Sequence, residues 1–335
     1  MLSQLLLAAL AVAAPQETVT QESVPQKTDE PAPVVQVFLL AGQSNMVGHG
    51  VVDLDDPQDY NGGRGNLAHV LAEPGVAARF ANLRDDRGVW TLRDDVFVSF
   101  QPDGHPSKAG PLSIGYAVRG SSHHFGPELM FGVELGEHFD EPVLLIKTAW
   151  GGKSLARDFR PPSAGGEVGP YYTRMLAEYR DTMAHLSERF PSLAGHEPEL
   201  RGFVWFQGWN DMIDDDATAQ YASNFRHLVG DLRRELGAPD LPVVIGETGN
   251  CDNEEFRAAQ RAAGESPELA GTAAFVPTFA FRRAAEDSPN TGHSHHWFGN
   301  AESYLLVGEA LGQAMVGLLE PSARADQQQP ARTPR

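Results

Sequence analysis

The chain has 335 residues, 41% of them hydrophobic and 21% charged, which is enough apolar material for one large domain or two ordinary ones. Its formal net charge of −19 repels a polyanion and excludes nucleic acid as an expected partner. Cys251 is the single cysteine, so an intrachain disulfide and a multi-cysteine metal site are excluded as well.

Met1 to Ala14 reads MLSQLLLAALAVAA, an apolar run that ends in small residues. It has the form of a signal-peptide core and is too short to span a bilayer comfortably, although no Lys or Arg precedes it. Secretion or export to a periplasm is the expectation; a buried N-terminal helix or a start codon placed too early are the alternatives. Residues 15–33 turn to Pro, Gln, Glu, Thr and Ser, with almost nothing to bury, and are expected to be a disordered linker. The tail 321–335 has the same character, which leaves 34–320 as the globular part. No later stretch is apolar enough for a membrane helix.

In chain order, 34–42 (VVQVFLLAG) is a buried strand ending in a glycine turn. A long Gly- and Asp-rich stretch follows to about Gly126, with an accessory hairpin expected within 90–100. Helical spacing covers 127–139, and 142–150 (PVLLIKTAW) is a second buried strand. A helix over 171–190, a strand over 202–208, a helix over 217–236 and a strand over 241–247 come next. A helix over 253–263, a fifth strand over 272–278 and a closing helix over 301–319 complete the pattern. Continuous apolar strands alternating with helices predict a three-layer α/β/α fold with a mostly parallel, five-stranded sheet. In such folds the chemistry gathers beyond the carboxyl ends of the strands.

Three strand ends carry suitable residues. The first runs Gln43-Ser44-Asn45-Met46; a serine on a tight strand-to-helix turn exposes its hydroxyl, although a serine helix cap has the same local look. The second runs Trp150-Gly151-Gly152-Lys153-Ser154, where paired glycines permit positive φ and leave a backbone N–H uncovered for an oxyanion. The third runs Gln207-Gly208-Trp209-Asn210-Asp211, offering a side-chain amide donor, with Asp211 suited to a structural hydrogen bond. Ahead of the last helix, NTGHSHHWFGN (290–300) supplies histidines able to act as a general base.

The segment LLAGQSNMVG resembles the first block of the SGNH-type esterases in their GQSNM variety, which includes sialate O-acetylesterases and acetylxylan esterases. The resemblance spans roughly 34–319. It implies that Ser44 is the nucleophile and that Gly152 and Asn210 are oxyanion donors. It implies removal of acetyl groups from carbohydrate through an acetyl-serine intermediate, with no cofactor. Gln43, Gln207 and Trp209 are expected to meet substrate, and Trp90, Trp150 and Trp297 are further candidates to stack on sugar. Two departures stand out. Trp209 occupies the glutamate position of the QGE third block, and the last block lacks its Asp-x-x-His. Distance to the closing helix favours His296 as the base over His293 and His295, with Asp287 the nearest upstream carboxylate to orient it and a backbone carbonyl or a Ser-His dyad as the alternatives.

Two other classes remain on the sequence alone. One is a metal-dependent hydrolase built on His293, His295, His296 and His123-His124, whose spacings match no helical metal-binding pair. The other is a catalytically silent carbohydrate-binding protein on the same scaffold. The N-terminal reading has its own check. Intact mass of protein recovered from the medium or periplasm should match a chain starting near Pro15, and full-length protein held in the cytoplasm would count against export.

Overall fold

The structure, a computed structural model, describes residues 32–320; the expected leader, residues 15–31 of the expected linker and the tail 321–335 lie outside the described residues. Pro33, at the end of that expected linker, is already engaged, its carbonyl accepting from the Glu197 N–H at 2.7 Å.

Strand β1 (Val34–Gly42) explains the architecture. Side chains alternate across a strand, and here both faces are apolar. Val35, Val37, Leu39 and Ala41 enter one core, Phe38 and Leu40 the other. Strands β6 (Val143–Ala149) and β7 (Glu197–Phe206) alternate in the same way, with Leu144, Ile146, Phe203 and Trp205 on the first side and Leu145, Val204 and Phe206 on the second. Helices Pro170–Ala184, Asp215–Glu235 and Glu254–Gly264 cover the first face through Met175, Leu176, Tyr221, Phe225, Leu228 and Phe256. Helices Glu128–His138 and Ala301–Leu319 cover the second through Phe131, Leu135, Leu305 and Leu311. These two helices lie close: a Cβ on Gly308 would sit 2.4 Å from the Pro127 carbonyl oxygen, so only glycine fits there.

The sheet has seven strands, not the five read from the sequence. Short β2 (Gly50–Val51) pairs with β5 (His124–Phe125) apart from it, while β3 (Val96–Phe100) runs parallel to β6 and β4 (Lys108–Pro111) closes the edge antiparallel to β3. With β8 (Val243–Gly246) and β9 (Ala273–Val276) the order is β4-β3-β6-β1-β7-β8-β9. The segment expected as an accessory hairpin therefore belongs to the main sheet. All five residues of β3 are buried, as its apolar run VFVSF requires. Its partner KAGP has a lysine, a glycine and a proline, which suit an edge and leave no strand pattern to read. The expected helix 171–190 is likewise two, Pro170–Ala184 and Leu186–Arg189, with His185 outside helical dihedrals.

Register positions the chemistry. Gly42 pairs with Ala149 on one side and with Phe206 on the other, so β6, β1 and β7 end at one level. The residues that follow each strand emerge together. Beneath them Lys147 interrupts β6 with a fully buried charge. Its ammonium donates to Glu128 Oε2 at 2.5 Å, to the Tyr116 carbonyl at 2.6 Å and to the Val47 carbonyl at 2.9 Å. Glu128 Oε1 in turn accepts from the Gly126 N–H at 3.0 Å. Lys147→Met strands a buried carboxylate and should cost about 3–5 kcal/mol in urea unfolding, part of which Glu128→Leu restores in the double variant. A single variant that unfolds like the native chain would remove this pair from the structural account.

Candidate active site

Ser44 opens a single helical turn, Ser44–Val47, immediately beyond β1 and is 8% exposed. It lines a cleft of about 490 Å³ at the carboxyl edge of the sheet, together with Trp150, Gly151, Gly152, Trp209, Asn210, His295 and His296. Gly152 has φ of +70°, the left-handed backbone expected of that turn, and nothing stands within 4 Å of where a Cβ would be. A Cβ on Gly151 would be 3.9 Å from the Ser44 Cβ, so the glycine turn lies directly against the serine. The cleft thus gathers Ser44, Gly152, Asn210, His296 and Trp209 from four separate segments.

Gln43 and Gln207 behave differently from expectation. Both are 2% exposed, and although Gln43 lines the cleft, the polar atoms of both are engaged by neighbouring protein groups. Gln43 Oε1 accepts from Gln207 Nε2 at 3.2 Å, from the Gly208 N–H at 3.1 Å and from the Asn210 N–H at 3.3 Å. Gln43 Nε2 donates to Asn210 Oδ1 at 3.1 Å. With its carbonyl oxygen so engaged, the Asn210 amide keeps its NH₂ as the group to offer the cleft. Gln207 Nε2 also donates to Asp211 Oδ2 at 2.6 Å and to the Lys153 carbonyl at 3.0 Å. Asp211, wholly buried, accepts from the N–H groups of Leu155 and Ala156, both at 2.8 Å. Burial raises its pKa to about 6 against the pull of those three bonds. The network ties the β6 loop to the β7 loop.

The histidines crowd together. His296 and His295 rings lie 4.1 Å apart, His295 stands 5.7 Å from Trp209, and His293 faces a neighbouring cavity of about 410 Å³ with Tyr60 and Asn290. Their loop is anchored from below. Asn45 Nδ2 donates to the His295 carbonyl at 3.1 Å, and the Tyr304 hydroxyl donates to Asn45 Oδ1 at 3.0 Å. Burial, then His295 and His293, pushes His296 down to about 3.

Asp287 does not reach His296. Its side chain is 64% exposed and pairs with Arg64 at 3.8 Å, while its carbonyl accepts from Asn300 Nδ2. The Asp287 backbone is thus tied to the cap of the last helix while its carboxylate faces solvent and Arg64. The tryptophans divide too: Trp297 is core, Trp90 lies under the Arg84 guanidinium, and Trp150 packs among Phe159 and Tyr171 with one edge on the cleft. Among the described residues no group of three or more His, Cys, Asp or Glu side chains is arranged to hold a metal ion.

Residues 34–317 match the family described as carbohydrate esterase, sialic acid-specific acetylesterase. The chain belongs to that family. This carbohydrate esterase is accordingly a carboxylic ester hydrolase. It is 25% identical over 214 residues to an Arabidopsis thaliana protein described as "Probable carbohydrate esterase", a match covering 64% of this chain and 69% of that one. An X-ray structure of an Arabidopsis thaliana protein superposes on 86% of this chain and 100% of its own with a TM-score of 0.55 at 18% identity, a likeness of fold. The crystal structure of a carbohydrate acetylesterase from Xanthomonas citri aligns with 84% of this chain and 56% of its own, at 16% identity and a TM-score of 0.48. Around the esterase cleft, the anchoring role of Asn45 is signalled only by its place in GQSNM, and His49 and Tyr304 carry no signal beyond their places in the chain.

Because Gln43 fixes Asn210, Gln43→Ala should lower kcat on an aryl acetate by about 100-fold with KM little changed. An effect on KM alone would return Gln43 to the substrate-binding role read from the sequence.

Proposed function

We propose that this carbohydrate esterase is an exported enzyme that removes O-acetyl groups from sugar by way of an acetyl-serine, with Ser44 as nucleophile and His296 as base. The observation that carries the reading is the convergence of Ser44, Gly152, Asn210 and His296 on one cleft from separate strand ends and one loop. Family membership supports an acetylated carbohydrate as substrate. Trp209, on the cleft wall, offers the sugar an apolar face.

In the proposed reaction His296 takes the Ser44 proton as Oγ attacks the acetyl carbonyl carbon. The carbonyl oxygen gains the negative charge and is met by the N–H groups of Ser44 and Gly152 and by the Asn210 amide. The tetrahedral intermediate collapses, the sugar oxygen leaves with the proton held by His296, and the acetyl group stays on Ser44. Water then gives a proton to His296, attacks the acyl carbon, and acetate departs as Ser44 regains its proton.

The experiment is acetate release from an aryl acetate and from acetylated xylan and sialic acid. Ser44→Ala and His296→Ala should each abolish turnover while the fold persists, because the two act as one unit. Asn210→Ala should raise the barrier by about 3 kcal/mol. Asp287→Asn should have little effect. The working base is neutral imidazole, so with His296 near 3 the acid limb of kcat/KM should lie well below the ordinary histidine value. Stability has the other sign. The unfolded chain takes up these imidazole protons below about pH 6.5 while the fold resists them, so unfolding becomes easier as pH falls from there. A well-folded Ser44→Ala that turns over normally would sink the serine mechanism.

A further inference from the structure

On the proposed reading His296 is the base, yet no carboxylate holds its ring. The His–carboxylate pairs among the described residues are His123 with Asp53 and His185 with Asp181. What touches His296 instead is a second imidazole. The rings of His49 and His296 lie face to face, with centroids 3.7 Å apart and planes 12° from parallel.

The surroundings give that stack a task. Both rings line the Ser44 cleft, and both also line the neighbouring cavity of about 410 Å³, so together they form the wall between two open volumes. An imidazole alone in that wall has space to swing on either side, and a base that leaves its angle loses the serine proton. His49 covers one face of His296, and His295 borders it at a tilt of 54°. His49 is itself fixed at the backbone. Its backbone N–H faces the oxygen of the Tyr304 hydroxyl, the same hydroxyl that donates to Asn45 and lies 3.4 Å from the His296 carbonyl oxygen. One tyrosine therefore sets the serine's neighbour, the stacking ring and the base's own peptide in a common frame.

We propose that His49 is the positioning residue for the base, holding the His296 ring by face-to-face stacking where a Ser-His-Asp site would use an aspartate. The resting stack holds both rings neutral and tolerates one charge during turnover but not two, since two imidazolium ions at this separation repel. The groups around it agree. His49 faces His296, His293 and His295 from the loop and His124 from β5, and burial together with these neighbours holds it well below the usual imidazole range. His124 is flanked in turn by His123, Arg119 and Asp53, of which only Asp53 favours its charge.

The inference rests on the serine reading, and one set of variants of the full chain separates the two. kcat, KM and the pH dependence of kcat/KM on an aryl acetate are measured for Ser44→Ala, His49→Ala, His49→Gln and His49→Phe, with thermal unfolding to confirm the fold. His49→Ala is expected to lower kcat by about 100-fold with KM nearly unchanged. It should also move the acid limb up toward the ordinary imidazole value of about 6.5, because His296 gains water on the uncovered face. His49→Phe restores a flat ring and should recover most of kcat and the low acid limb, whereas His49→Gln should not. If His49→Ala fails to fold, the contrast between Phe and Gln carries the test. Equal damage from Phe and Gln, or a His49→Ala with native kcat and native acid limb while Ser44→Ala is dead, overturns the inference and leaves the serine mechanism standing. Turnover in a folded Ser44→Ala overturns both.

Discussion

The side-chain amide of Gln43 is the joint on which the site depends. It sits one residue before Ser44, the proposed nucleophile, at the level where β6, β1 and β7 all end. Its carbonyl oxygen gathers three donors from the β7 loop, and its NH₂ holds the oxygen of Asn210. An amide can do both only because it carries a donor and an acceptor on one rigid plane. A carboxylate would repel the Asn210 oxygen, and an aliphatic chain would leave the backbone N–H groups of Gly208 and Asn210 without their acceptor, which is costly. Ser44 and Asn210 are thereby placed relative to each other by one side chain rather than by two independent loops.

Around that joint, polar groups are buried in closed sets. Asp211 and Gln207 bind the β6 loop to the β7 loop, and the Tyr221 hydroxyl donates to the Gln207 carbonyl at 2.6 Å from the helical layer. On the other face Lys147, held by Glu128, donates to the carbonyl of Val47, where the helical turn that begins at Ser44 ends. Such pairs contribute little net stability compared with well-packed apolar residues, but losing one partner is expensive. Their effect is geometric: the serine's turn is gripped at its start by Gln43 and at its end by Lys147. A nucleophile on a single turn has little rigidity of its own, and the two polar sets supply it.

The strand ends are legible because β1, β6 and the second half of β7 are buried on both faces and read as largely apolar runs, Lys147 apart, that lead into glycine-containing turns. GQSNM, GGKS and GWND therefore stood at recognisable places, and the structure brings Ser44, Gly152 and Asn210 to one cleft. What was not legible depends on pairing or on rotamer. β4 has no side-chain pattern, since KAGP joins the sheet only through its backbone ladder to β3. Gln43 and Gln207 looked like substrate contacts because the sequence does not reveal that their amides face each other. Asp287 was chosen by chain distance, and a loop of nine residues reverses direction often enough for distance to mislead. His49 lies five residues from Ser44 in sequence, but its stacking on His296 joins two ends of the chain and has no sequence signature.

On the proposed reading, with His296 as base to Ser44, the missing carboxylate changes the balance of the catalytic cycle. In a triad the aspartate stabilises the imidazolium that forms when the serine is deprotonated. Here the imidazolium would sit among other imidazoles in a half-buried cluster, so it is a poor charge to create and a strong acid once created. Proton abstraction from Ser44 is then uphill unless the opposite charge appears at the same moment nearby. The oxyanion supplies that charge, held by Ser44, Gly152 and Asn210 across the cleft, and attraction between oxyanion and imidazolium is strongest where water is excluded. Concerted transfer is favoured over prior formation of a free alkoxide. The return step gains what the first step loses, because a strongly acidic imidazolium readily protonates the departing sugar oxygen. A site of this kind relies on its oxyanion donors more heavily than a triad does, which is a physical reason for Asn210 to be locked by Gln43 rather than left on a mobile loop.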